Sequence, residues 1–117
     1  LNIKLTFEVF DEYLRINLSG GNLFDEIIEV METVKSLLKT NNRKKMLIDT
    51  INLTPPSEMQ KFYIGEMGVG IFGREVKTAL VSQPQYINKF FENVTVNRGG
   101  IVYVTDNEKD ALDWLLK

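Results

Sequence analysis

The chain predicts an α/β fold: a mixed, mostly parallel five-stranded sheet flanked by helices, in the order β-β-α-β-α-β-α-β-α. Three observations predict it. Apolar and polar residues alternate up to Ser19, with a break at Asp11-Glu12. A 3.6-residue apolar period runs from Leu23 to Lys39. Beyond it, short apolar runs alternate with helix-like stretches, which is how strands joined by crossover helices read.

The first strand spans residues 1–9. Ile3, Leu5, Phe7 and Val9 share one face, and Asn2, Lys4, Thr6 and Glu8 the other, as at or near a sheet edge. Asp11-Glu12 turns the chain, and Tyr13 to Ser19 alternates again with Leu14, Ile16 and Leu18 inward, so a hairpin opens the fold. Gly20-Gly21 breaks the strand and Asn22 caps a helix, with Asp25 and Glu26 suited to its first turn. That helix carries Leu23, Phe24, Ile27, Ile28, Met31, Val34, Leu37 and Leu38 on its apolar face. Met46 to Asp49 reads as a short buried central strand, and Asn52 to Pro56 as a loop.

The next helix is expected to begin with Thr54 as cap and Pro55 at its first position. Met59, Phe62, Tyr63 and Met67 form its apolar face, and Gly68, Gly70 and Gly73 end it. A strand follows at Val76–Val81. Ser82 and Pro84 open a helix to about Asn93, with Tyr86, Ile87, Phe90 and Phe91 inward. Asn93 to Gly100 reads as a connection, Ile101 to Val104 as the last strand, and Asp106 as the cap of a final helix. Ala111, Leu112, Trp114 and Leu115 are its packing residues. No repeat or linker divides the 117 residues, so the expectation is one domain, 1–117.

What the chain lacks narrows its chemistry. It has no cysteine and no histidine. Disulfides, thiol catalysis and thiolate metal sites are excluded, as are Ser-His-Asp triads. No cofactor and no metal are expected. A net charge of −2 gives no electrostatic reason to expect nucleic acid. No apolar run approaches the ~20 residues a bilayer span requires, so the chain is not expected to be transmembrane. No basic-then-apolar leader opens it, and the expected setting is cytoplasmic; Leu1 in place of Met leaves room for an upstream segment.

Several residues attract a functional reading. Gly68-Val69-Gly70-Ile71-Phe72-Gly73 spells GxGxxG, but it follows a helix and precedes a strand, the reverse of a dinucleotide fingerprint. The loop expected there, with Met67, Val69, Ile71 and Phe72, either packs on the core or forms a lid over an apolar pocket. Asp49 is expected at the C-terminal end of a central strand, where open α/β sheets bind ligands, and also suits a loop-capping role. Thr54 and Ser57 at a helix start tolerate a phosphate and equally serve as caps. Arg98 suits an anion or a backbone-fixing role.

The segment from Val76 to Leu116 resembles the C-terminal half of the SpoIIAA-like branch of STAS-type proteins. The residues that carry the resemblance are Lys77-Thr78-Ala79-Leu80-Val81, Phe91-Glu92-Asn93-Val94-Thr95-Val96-Asn97-Arg98-Gly99, Val104-Thr105-Asp106 and Asp110-Ala111-Leu112-Asp113-Trp114-Leu115. Met46-Leu47-Ile48-Asp49 and the opening hairpin fit as well. The resemblance implies a STAS-like sheet with no catalytic triad. Members related to anti-sigma factor antagonists bind a partner protein, switched by phosphorylation in an Asp-Ser-Ser/Thr-Gly motif. Asn52-Leu53-Thr54-Pro55-Pro56-Ser57-Glu58 stands there instead, and the motif is absent. The fold is also similar to that of CRAL-TRIO-type lipid carriers.

The expectation is therefore a non-enzymatic binding or regulatory module, its partner a protein or a small apolar ligand. Its surface is expected at Asp49, Thr54, Ser57, Met67, Val69, Ile71, Phe72 and Arg98. The alternatives are a carrier of a lipid-like ligand at the membrane surface, which needs a cavity beneath Met59–Phe72, and a phosphorylation-switched interaction domain. An enzyme built on Asp49 or a lysine is the remaining rival, and a homodimer is open.

Overall fold

In the computed structural model, residues 2–87 and 89–117 are described, apart from the side chains of Phe90, Phe91 and Val94. The inward packing expected of Phe90 and Phe91 thus falls outside the described residues. Five strands stand in chain order across one sheet: β1 (Ile3–Val9), β2 (Leu14–Asn22), β3 (Lys45–Thr54), β4 (Lys77–Val81) and β5 (Ile101–Thr105). β1 is antiparallel to β2, and every later pair is parallel. The connecting helices are α1 (Ile27–Thr40), α2 (Glu58–Phe72) and α3 (Phe90–Asn97), and α4 (Glu108–Leu115) closes the chain. Right-handed crossovers between strands laid down in sequence order put α1, α2 and α3 on one face. Among the described residues, α4 is the helix on the other.

The two faces have separate cores. Under α1 and α2, Leu14, Ile16, Leu18 and Met46 meet Leu23, Ile27, Val30, Val34, Leu38 and Ile64. Under α4, Leu47, Ala79 and Val81 meet Ala111 and Leu115, with Leu112 and Trp114 alongside. Trp114 stacks on Tyr103 with ring centroids 5.4 Å apart. Among the described residues, no helix lies over the β1–β2 part of the second face. Its Lys4, Thr6 and Glu8 are exposed, and Arg15, Asn17 and Ser19 are half-buried.

The helix period of α1 holds, but Asn22 caps a 3-10 turn, Leu23–Glu26, that precedes it; the Asn22 Oδ1 accepts from the Phe24 N–H at 3.0 Å. β3 does not stop near Asp49. It continues to Thr54 and pairs with β2 as far as Asn22, past register shifts between Asn17 and Ser19 and between Gly20 and Asn22. The expected loop from Asn52 therefore begins only after Thr54. Asn52 and Thr54 are exposed on a stretch that pairs with β2 but extends past the end of β4, so their polarity says nothing against a strand.

α2 corrects three expectations. Its cap is Ser57, not Thr54, and Pro55 lies outside it. The helix also runs through Gly68 and Gly70 and ends only at Gly73, at φ 63°. Glycine weakens a helix interior by about 1 kcal/mol against alanine, which packing on the sheet and on α1 and α3 outweighs here. The helix expected from Pro84 to Asn93 is split instead. Pro84–Tyr86 forms a 3-10 turn, Lys89 takes φ 68°, and α3 starts at Phe90 and runs through Asn97, where a connection was expected. The final helix is capped by Asn107 rather than Asp106, its Oδ1 accepting from the Asp110 N–H at 3.1 Å.

Candidate functional site

Asp49 sits in mid-strand, opposite Asn17 on β2 and Val81 on β4. It faces the α4 side. Its Oδ2 accepts from Arg15 Nη2 at 3.0 Å, and its Oδ1 accepts from the Ile51 N–H at 3.0 Å. The same guanidinium reaches Glu108 at the start of α4 and donates from Nε to the Asn17 Oδ1 at 3.1 Å. Arg15 thus ties β2, β3 and α4 together, and Asp49 is one anchor of that tie. Of the capping and ligand readings of Asp49, the first has a partner here. Arg15 and Glu108 are 93 positions apart, so no sequence pattern joins them.

Thr54 and Ser57 do not share a helix start. Thr54 ends β3, and its hydroxyl donates to the Gly20 carbonyl at 2.9 Å. Ser57 forms a capping box: its Oγ accepts from the Gln60 N–H at 3.2 Å, and the Gln60 Oε1 accepts from the Ser57 N–H at 2.9 Å. Arg98, expected in a connection, is the C-cap of α3. Its Nε lies 3.3 Å from the Glu66 Oε2, and its guanidinium carbon is 5.0 Å from the centre of the Phe62 ring. Arg98 thereby fastens the end of α3 to α2 and has a carboxylate partner.

Met67, Val69, Ile71 and Phe72 belong to the last turns of α2 rather than to a lid loop. Met67 and Phe72 pack against the α1-side core. Val69 and Phe72 also line an apolar cavity of about 110 Å³ between α1, α2 and the sheet, while Ile71 does not. A second cavity of about 90 Å³ adjoins it under the N-terminal end of α2. Leu23, Thr50, Ile64 and Leu80 line both. Each is smaller than the ~150 Å³ engineered cavity that takes up benzene, and far below a pocket for a drug-sized ligand. A slender chain that spans both is the scale that fits. Lys61, Lys89 and Glu92 stand around the second cavity. Lys61 Nζ donates to the Glu58 Oε1 at 3.2 Å and to the Tyr86 carbonyl at 3.1 Å. Lys89 pairs with Glu92, which also accepts from the Val104 N–H.

One surface was not anticipated. Ile28 on α1 and Met59 on α2 are 63% and 71% exposed, and Tyr63 47%. The Phe24 and Tyr63 rings lie 6.3 Å apart. Ile28 is one turn on from Phe24, and Met59 one turn before Tyr63, so the four form an apolar row along the α1–α2 seam. The sequence assigns α2 a single apolar face. It placed Ile28, Met59 and Tyr63 on inward faces, because apolar period alone does not tell which residues the sheet has room to cover.

Tyr13 and Lys77, both on the α4 side, titrate away from their ordinary ranges. Burial raises the Tyr13 hydroxyl, opposed by Arg15 and reinforced by Glu108 and Glu8. Burial lowers the Lys77 ammonium, helped by Lys45 and Lys117; its Nζ lies 4.6 Å from the centre of the Trp114 ring and donates to the Trp114 carbonyl at 2.7 Å. Among the described residues, no group of three acidic side chains is placed to hold a metal ion, and no helix is long and apolar enough to cross a membrane.

At the level of sequence, no family model matches this chain, and neither does any curated protein. Solved structures do match. An anti-sigma factor antagonist from Mycobacterium paratuberculosis superposes with a TM-score of 0.68 at 13% identity, over 98% of this chain and 95% of that one. An uncharacterized protein of the DUF3478 family from Shewanella loihica PV-4, with a SpoIIAA-like fold, superposes at 0.60 and 19% identity, over 97% and 94%. The chain has a STAS-type, SpoIIAA-like fold, as the resemblance implied.

Proposed function

We propose that this chain is a non-enzymatic regulatory module that binds a protein partner along the α1–α2 seam. The observation that carries the reading is the exposed trio Ile28, Met59 and Tyr63, continued by the half-buried Phe24. Large apolar side chains clustered on one face mark interaction sites more often than isolated ones do. A protein similar in fold is an anti-sigma factor antagonist, which supports a protein as the partner class. The absence of histidine and cysteine supports binding over catalysis. Introducing Ile28→Glu with Met59→Glu is expected to leave the fold within about 0.5 kcal/mol, because both positions are exposed. The pair is expected to abolish retention of a protein that both the unaltered chain and a Lys109→Glu control on α4 retain. Equal retention by all three sinks the seam as the binding surface.

The adjoining cavities favour a second reading, a carrier of one small apolar molecule. Native mass spectrometry of freshly purified protein is expected to show added mass that denaturation removes. Leu80→Phe, which fills the shared wall, is expected to lose that mass. A bare chain at its sequence mass ends the carrier reading.

A further inference from the structure

β1 is an edge strand. Its inner side pairs with β2 from Ile3 to Val9, and no strand lies on its outer side among the described residues. Open edges of this kind template pairing with another chain, and proteins commonly guard them with charge, proline or a bulge. β1 carries no proline and pairs with β2 without a register shift. Its helix-side face is also left uncovered at one end. Ile3 is buried, but Phe7 and Val9 are 45% and 44% exposed.

The sequence of the strand is complementary to itself. It reads Ile3-Lys4-Leu5-Thr6-Phe7-Glu8-Val9. When two copies run antiparallel about a twofold axis at Thr6, all seven residues find an opposite number. Lys4 meets Glu8 of the second copy and Glu8 meets Lys4, so both charged positions are neutralised on the polar face. Leu5 meets Phe7 and Ile3 meets Val9 on the apolar face, covering the side chains that one copy leaves in water. Thr6 meets Thr6. Opposite charges, apolar pairs and Thr–Thr pairs are the combinations that stabilise antiparallel neighbours. Moving the axis by one residue leaves strand ends unpaired and removes both charge pairs.

We infer that β1 is a self-association edge: a second copy of this chain adds to it in antiparallel register about Thr6, giving a ten-stranded sheet across the dimer. The interface is isologous, as twofold pairing requires. It lies at the opposite side of α1 from the α2 seam, so it stands whether or not the seam binds a partner.

The chain has no cysteine, so a single introduced thiol can cross-link only between copies. In the inferred register the two Thr6 Cα atoms lie about 5 Å apart, within disulfide reach. Two Asn2 residues lie roughly 27 Å apart, well outside it. Thr6→Cys is expected to form a disulfide dimer under mild oxidation at least about tenfold faster than Asn2→Cys, which keeps both charges of β1 in place. Adding Lys4→Glu to Thr6→Cys sets like charges opposite each other twice and is expected to slow cross-linking about tenfold; adding Glu8→Lys as well is expected to restore it. Equal rates for Thr6→Cys and Asn2→Cys, or no effect of Lys4→Glu, overturn the register. Sedimentation of the unaltered chain is independent of how any variant folds. A concentration-dependent dimer is expected, and a monomer throughout overturns the inference.

Discussion

Gly20→Ala is expected to destabilise the chain by about 3 kcal/mol, a large part of the ~5–15 kcal/mol that holds a domain of this size. Two effects combine there. Gly20 sits at φ 104°, where an L side chain is strained. A Cβ on it would also stand 2.4 Å from the Asn2 carbonyl oxygen, which is backbone and cannot swing aside. The position matters because Gly20 pairs with Ile3 at the open end of the hairpin, and its carbonyl accepts the Thr54 hydroxyl at the far end of β3. Losing it loosens β1 and the end of β3 together. Urea denaturation reads the change. The contrast is Gly70→Ala in α2, where nothing lies within 4 Å of the added carbon and the backbone is helical. That exchange is expected to stabilise by about 1 kcal/mol. The same substitution with opposite signs tests the backbone argument directly; a neutral Gly20→Ala removes it.

Leu115→Ala is expected to cost about 3–4 kcal/mol. Leu115 is fully buried, and with Ala111 it is the part of α4 that meets Leu47, Ala79 and Val81. α4 has eight residues and, among the described residues, is the one helix over that face of the sheet. No second helix can close over the cavity, so relaxation offsets little of the loss. Leu116→Ala next to it, where the leucine is 37% exposed, is expected to cost under about 1 kcal/mol. Thermal melts of the two variants separate them. Equal losses mean that α4 is held by its termini and the Arg15–Glu108 contact rather than by Leu115.

Much of the architecture was legible. Period-two alternation predicted β1 and β2, the 3.6 period predicted α1, and Ala111, Leu112, Trp114 and Leu115 were correctly placed on the packing side of α4. The candidate site was far less legible. Asp49, Thr54 and Arg98 each admit a ligand contact and a structural role on local grounds, and each has a partner within the protein: Arg15, the Gly20 carbonyl and Glu66. Those partners are distant in sequence, and nothing in a side chain's type announces which distant group it will meet. Two of the three glycines misled in a different way, while Gly73 does end α2. Gly68 and Gly70 read as a helix end because their intrinsic preference is weak, yet contacts with the sheet and neighbouring helices hold them in α2.

The sequence by itself determined the order of strands and helices along the chain and the chemistry the chain cannot do. Those properties rest on local periodicity and on which residue types are present, and both are written along the chain. Only the tertiary structure decided how far β3 and α2 extend, which carboxylates have cations, where the two cavities open, and which apolar residues remain in water. Each of these depends on how much of an element its neighbours can cover. β1 shows the difference in one strand: its alternation made Ile3 and Phe7 equivalent, and the reach of the helices buried the first and left the second exposed.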